Sequence, residues 1–270
     1  MKNFIQFHRP FISEEEINEV VDTLRSGWLS MGPKTIQFEQ EFKEYIGTPN
    51  SVSVNSWTAG GHLILEALGL KEGDEVIVPT MTFPATAEIV CYFKAKPVIV
   101  DVDSVTLNIT PEAILKAITP KTKAIIPVHY AGQPCDMDEI LEIAKAKNLH
   151  VIEDAAHALP STYKGKKIGT VSPITCFSFY ATKTLAAGEG GMICTSDELL
   201  AERTKIMRLH GINRDAWKRY TEEGSWYYEV VAPGFKYNLT DIQASLALIQ
   251  LRKVELMWKA RADLAEVYTE

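Results

Sequence analysis

Seven short apolar or β-branched runs recur along the chain, at Ser51–Val54, Glu75–Val78, Pro97–Val102, Lys123–Val128, His150–Glu153, Ile174–Phe179 and Gly191–Thr195. Several are apolar throughout instead of alternating, the pattern of strands covered on both faces. Helical patterns lie between many of them, at Gly60–Leu70, Pro84–Phe93, Pro111–Ile118 and Met137–Lys147. Such alternation predicts an α/β fold: a mostly parallel seven-stranded sheet with helices on both faces. Ser13-Glu-Glu-Glu16 matches a capping box opening a helix over Ile17–Leu24. Toward the far end, Ile242, Leu246, Ile249, Val254, Met257, Leu264 and Val267 keep a helical spacing. With no Gly or Pro to end it, one helix is expected from about Thr240 to Glu270. The expected organisation is a large domain over residues 1–240, then 241–270 as the start of a long helix leading to a missing, apparently truncated C-terminal small domain.

Composition narrows the function classes. A length of 270 residues with 46% hydrophobic and 23% charged residues suits a large globular domain. The net charge of −7 argues against a nucleic-acid partner, which would need a basic face. The 4 cysteines are scattered and form no CxxC pair, so neither a disulfide framework nor a metal site is expected, and a reducing, cytoplasmic setting fits. The amino-terminal segment lacks the apolar stretch of a signal peptide, and no run reaches membrane-spanning length.

The candidate chemistry centres on Lys183, in the run Ser178-Phe-Tyr-Ala-Thr-Lys183 before the glycine-rich Gly188-Glu-Gly-Gly191. A lysine placed just after an apolar strand loses hydration, which favours the neutral, nucleophilic amine. Taken alone it is equally a surface charge. Four further features accompany it. Thr58 and Ala59, in Val54-Asn-Ser-Trp-Thr58-Ala59-Gly60-Gly61, open a helix whose free N–H groups can hold a phosphate, with Thr58 as a plain N-cap the alternative. Asp154 closes the strand His150-Val-Ile-Glu-Asp154 with His157 three residues on; it can pair with a protonated ring nitrogen or simply cap a helix. Phe83, before Pro84, can stack on a flat ring or belong to the core. Asn238, in Tyr237-Asn238-Leu-Thr-Asp241, can donate to a phosphate, or either Asn238 or Asp241 can cap the last helix. Nucleophile-elbow, P-loop and dinucleotide fingerprints are absent from the sequence.

Glu153-Asp154-Ala-Ala-His157, Ser178 to Lys183 with Gly188–Gly191, and Tyr237-Asn238-Leu-Thr-Asp-Ile-Gln243 resemble the DegT/StrS family of sugar aminotransferases, which are fold type I pyridoxal phosphate enzymes. The resemblance runs from about Phe7 to the end of the chain. Gly27-Trp-Leu-Ser-Met-Gly-Pro33, Ala124–Gly132 and Ala232–Asp241 are similar in particular to members that make UDP-4-amino-4-deoxy-L-arabinose. What the resemblance implies is a pyridoxal 5′-phosphate cofactor joined to Lys183, which then shuttles the proton. Asp154 would pair with the ring nitrogen, His157 lie near the phenolic oxygen, and Phe83 stack on the ring. Thr58, Ala59 and Ser178 would hold the phosphate, together with the partner subunit's Asn238 in a homodimer with shared sites. Glutamate is the implied donor, with 2-oxoglutarate as its product, and a nucleotide-linked keto-sugar the acceptor, in surface-polysaccharide or lipid A aminosugar biosynthesis.

Three positions depart from the family pattern: Trp57 stands in place of a small residue, Ala181 of a proline and Thr184 of an asparagine. Two other functions compete. A pyridoxamine-dependent sugar dehydratase of the same family carries histidine at the lysine position, which Lys183 disfavours. A truncated, non-catalytic homologue is the other.

Overall fold

The computed structural model describes residue 4, residues 6–213 and residues 228–269. Its first half runs α1 (Glu14–Ser26), α2 (Pro33–Ile46), β1 (Asn50–Val54), α3 (Trp57–Ala67), β2 (Glu75–Pro79), α4 (Ala85–Cys91), β3 (Lys96–Val100), α5 (Pro111–Ala117) and β4 (Thr122–Ile125). There follow α6 (Met137–Lys147), β5 (His150–Val151), β6 (Glu153–Asp154), the small hairpin β7 (Thr162–Tyr163) and β8 (Lys166–Lys167), β9 (Ile174–Ser178), β10 (Gly191–Thr195), α7 (Glu198–Met207), α8 (Asp241–Arg252) and α9 (Val254–Thr269). None of the helices among the described residues is long and apolar enough to cross a membrane.

Strands β3-β2-β4-β5 and β6-β9-β10-β1 are hydrogen-bonded in those orders. Strands β5 and β6 are successive parts of one run, and the Ile152 N–H between them donates to the Ile125 carbonyl at 3.0 Å. A parallel bridge from Val128 to Asp154 continues the contact. The two groups therefore form one sheet of seven strand positions, the sheet expected from the apolar runs. Strand β10 alone among these runs antiparallel to its neighbours, β9 and β1. Antiparallel neighbours need no crossover helix, so the β9–β10 connection turns back at the carboxyl end of β9. That connection is the segment carrying Lys183.

Successive strand residues point to opposite faces, and the core divides accordingly. Val76, Val78, Cys176 and Ile193 face one layer, with Leu63 and Ile64 of α3, Ile89 of α4 and Met207 of α7. Phe177, Met192 and Cys194 face the other, against Phe38 and Phe42 of α2 and Leu248 of α8. Further along that second face, Ile77, Ile125 and Val151 meet Ile114 of α5 and Ile140 of α6. Phe38, Phe42, Phe177 and Phe179 form edge-to-face pairs with ring centres 5.3–5.8 Å apart.

The capping box at Ser13 forms as expected, with Glu16 reaching back to the Ser13 N–H at 2.8 Å. Met137–Lys147 and Gly191–Thr195 form the elements expected of them. The single helix expected beyond Thr240 does not form: it is two helices broken at Lys253. There the backbone tightens, with the Lys253 N–H bonding to the Gln250 carbonyl three residues back at 3.2 Å. Side chains at the break are drawn to α1: the Lys253 ammonium contacts Ser13 and Glu16, and the Gln250 amide donates to Glu16 at 2.9 Å. Helix α2 was not anticipated from the periodic runs. Its signal was present in Pro33 at the first turn and Phe38, Phe42 and Ile46 at intervals of four, all buried in the structure.

Candidate active site

Parallel strands bring their carboxyl ends to one edge of the sheet, where ligand sites of such folds lie. β1, β6 and β9 deliver Thr58, Asp154 and Ser178 to that edge, and the loop after β9 delivers Lys183. Asp154 is 4% exposed. Its Oδ1 accepts from the Ala156 N–H at 3.1 Å and its Oδ2 from the Thr86 hydroxyl at 3.0 Å. Burial raises the carboxyl to about 6; the Ala156 and Thr86 hydrogen bonds, His129 and Lys183 all pull the other way. At neutral pH the group is chiefly ionised.

Lys183 is half-buried, and its ammonium makes no hydrogen bond or ion pair to a described residue. Burial pushes its pKa down, opposed by the charge of Asp154. The charges of the two groups thus bear on each other, and burial favours the free amine of the lysine. His157, three residues beyond Asp154, sits at the exposed lip, with the Tyr130 ring edge-on at 6.2 Å. Neighbouring protein and, after it, Lys183 favour its neutral form.

The helix start that flanks this group is α3. Ser56, not Thr58, is its N-cap, and the Ser56 hydroxyl accepts from the Ala59 N–H at 3.1 Å. Thr58 therefore lies in the first turn, half-buried, with a hydroxyl bonded to no described residue. Ala59 is buried beside it. The strand register sets Val54, Gly191 and Ser178 side by side across β1, β10 and β9. Gly191 permits this approach: a Cβ there would meet the Ser56 carbonyl at 2.8 Å and the Phe177 carbonyl at 2.9 Å. Ser178 thus stands two strands from the start of α3, half-buried, its hydroxyl accepting from the Tyr180 N–H at 3.4 Å. Gly60 and Gly61 serve packing, because Cβ atoms there would strike Cys176 Sγ at 2.6 Å and Ile89 Cδ1 at 2.7 Å.

Phe83 is 75% exposed at the end of the β2–α4 turn, so it is not core. Asn238 is 6% exposed, and its amide donates to the Leu239 carbonyl at 3.1 Å. The chain places it near β1, since the Asn55 N–H donates to the adjoining Tyr237 carbonyl at 2.8 Å. Neither Asn238 nor Asp241 caps α8; Thr240 does. Asp241 instead accepts from the Gly32, Lys34 and Thr35 N–H groups and the Thr35 hydroxyl, capping α2. Trp57 packs in the core and donates to the Cys176 carbonyl at 3.1 Å. Thr184 accepts from Arg261 of α9 at 3.2 Å.

Glu153 and Asp154 read as a pair of carboxylates in the sequence, but a strand sends them to opposite faces. Glu153 is fully buried, accepting from His129 Nε2 at 2.8 Å, the Thr175 hydroxyl at 2.9 Å and the Ser172 N–H at 3.0 Å. His129 Nδ1 accepts from the Cys135 N–H at 3.2 Å, so its proton sits on Nε2, toward Glu153. Burial alone would raise the Glu153 carboxyl, yet His129 and the two other donors hold it below the usual range. Sequence reasoning missed this pair and Thr86. The signal for Thr86 was slight: one threonine on a short, otherwise small or apolar stretch three residues past Phe83.

The pattern of the DegT/DnrJ/EryC1/StrS aminotransferase family matches residues 10–270. Over 269 residues the chain is 59% identical to the uncharacterized protein MJ1066 of Methanocaldococcus jannaschii, covering 100% of this chain and 70% of that protein. It is 50% identical over 266 residues to the spore coat polysaccharide biosynthesis protein SpsC of Bacillus subtilis, covering 98% and 68% of the two. Among solved structures, the putative sugar aminotransferase Spr1654 from Streptococcus pneumoniae in its PMP form superposes with a TM-score of 0.91 at 39% identity, covering 98% of this chain and 71% of that one. Its PLP form gives 0.90 at 38%, covering 98% and 70%. By sequence and by fold, the chain belongs to the DegT/DnrJ/EryC1/StrS aminotransferase family.

Proposed function

We propose that this protein is a pyridoxal phosphate-dependent aminotransferase that moves an amino group from glutamate to a nucleotide-linked keto-sugar, a UDP-4-keto sugar in the first instance. The observation that carries the reading is Lys183: a half-buried amine without an ion-pair partner among the described residues, whose charge bears on the buried carboxylate of Asp154. The residues fit the cofactor by their own chemistry. They combine a desolvated amine, a buried acceptor, an exposed aromatic ring and a helix start lined by small side chains.

When bound, the cofactor supplies an electron sink for charge developing on the substrate carbon. Asp154 holds the ring nitrogen protonated by a charge-assisted hydrogen bond. Lys183 would hold the cofactor and carry the proton to and from the reacting carbon, a task suited to an amine whose pKa is lowered by burial. The exposed Phe83 ring would hold the cofactor by stacking, and His157 would lie beside it. The start of α3 with Thr58, Ala59 and Ser178 receives the phosphate. In a homodimer, Asn238 reaches the phosphate of the neighbouring copy, and the exposed Met81, Phe83, Tyr180, Val230 and Val231 gain cover there. Residues 1–240 form the cofactor-binding domain, with α8 packed into its core through Leu248. SpsC is named for spore coat polysaccharide synthesis, which favours surface glycans as the destination of the aminosugar.

Borohydride treatment of the chain with pyridoxal phosphate is expected to label Lys183, and a label on another lysine refutes the reading. Glutamate alone is expected to convert the absorbance of the lysine-bound form. A panel of UDP-, dTDP- and GDP-linked 4-keto sugars then identifies the acceptor by restoring it. A Lys183→Arg variant that still turns over also refutes the mechanism.

A further inference from the structure

Thr86 is fully buried on α4, and its hydroxyl donates to Asp154 Oδ2. An ionised carboxylate only accepts, so the single Thr86 proton is committed to Asp154. The 2.7 Å contact between the Thr82 and Thr86 hydroxyls must then have Thr82 as donor. The result is a directed chain, Thr82 to Thr86 to Asp154, on the oxygen that the Ala156 N–H does not hold. The same turn carries Phe83, whose carbonyl accepts from the Thr86 N–H at 3.1 Å. One short segment thus presents the exposed ring and, a turn later, the hydroxyl fastened to the carboxylate.

We propose that Thr86, backed by Thr82, is a positioning residue that keeps Asp154 ionised and fixed as acceptor for the cofactor's ring nitrogen. The inference rests on the cofactor reading above. It follows from direction: a chain of donors pointing at a carboxylate stabilises the charged form, whereas a protonated or amide side chain at 154 reverses it. The other titratable groups near Asp154 are Lys183 from the β9–β10 loop, whose charge favours the carboxylate, and His129 after β4, with Cys176 and Cys135 near by. None of them replaces the lost donor when Thr86 is removed.

The test uses Thr86→Val, which keeps the shape, and Thr86→Ser, which restores the hydroxyl. In the cofactor-free protein, the Asp154 carboxyl carbon, assigned by its absence in Asp154→Asn, is titrated by NMR. Thr86→Val is expected to raise its midpoint by about one to two pH units, and Thr86→Ser to restore it. Pyridoxamine 5′-phosphate is then bound non-covalently over the same pH range. The ratio of variant to wild-type Kd cancels the ligand's own titration. It is expected to be roughly 5- to 50-fold at pH 6 and near unity at pH 9. An unmoved carboxyl midpoint, or a Kd ratio independent of pH, overturns the proposal and leaves the cofactor reading standing. Failure of wild type to bind the probe, or undiminished binding by Asp154→Asn, overturns that reading and this proposal with it.

Discussion

Asp154→Asn is expected to stabilise the cofactor-free protein while weakening its hold on the cofactor. In the folded chain the carboxyl is raised from 3.8 to about 6 by burial. The folded state therefore binds the proton more tightly than the unfolded chain, and stability falls as pH rises from the unfolded value through the folded one. A shift of this size corresponds to about 3 kcal/mol lost in full above pH 7, of which roughly 1.5 kcal/mol is lost between pH 5 and pH 8. Asparagine removes the titration. Its amide is accommodated by reversing the hydroxyl chain, so that the new side chain donates to Thr86 and Thr86 to Thr82. Urea unfolding of the cofactor-free wild type and variant at pH 5 and pH 8 measures the difference. The variant's advantage is expected to be larger at pH 8 by that increment. An advantage that is equal at both pH values, or larger at pH 5, refutes the assignment of Asp154 as a buried charge held against desolvation.

On the other face of the same strand, Glu153→Gln is expected to cost about 3 kcal/mol in a denaturant titration, because its amide meets the Nε2–H of His129 donor to donor, and the opposite tautomer turns Nδ1–H onto the Cys135 N–H. Wild type should also lose this stabilisation as pH falls below 4.5 toward the lowered folded value, while the variant does not. Gly191→Ala places a Cβ 2.8 Å from the Ser56 carbonyl and is expected to lower stability by about 1–3 kcal/mol, with a crystal structure showing the start of α3 displaced. Ser56→Ala removes the α3 N-cap and is expected to cost about 1 kcal/mol in a thermal melt.

The periodic runs determined the architecture because each strand buried on two faces must be apolar along its length. Ile174–Ser178 and Gly191–Thr195 were readable on that ground alone. The helix over Met137–Lys147 was readable from its apolar spacing for the same reason. Lys183, Asp154 and Phe83 were singled out because charge or aromaticity at the end of an apolar run is a local anomaly. The run beyond Thr240 misled, since the break at Lys253 depends on Glu16 more than two hundred residues away. Glycines 60 and 61 are explained by close packing of α3, Gly60 against the sheet and Gly61 against Ile89 of α4.

What the sequence determined by itself was the order of strands and helices and the residue types available for chemistry, since both are local properties of the chain. Which residues meet was decided by the tertiary structure. The pleat parts Glu153 from Asp154, the antiparallel return of β10 brings Lys183 to the edge where Asp154 lies, and the fold seats Thr86 against a carboxylate 68 residues away. Hydrogen bonds and desolvation act through space, and no spacing along the chain encodes them.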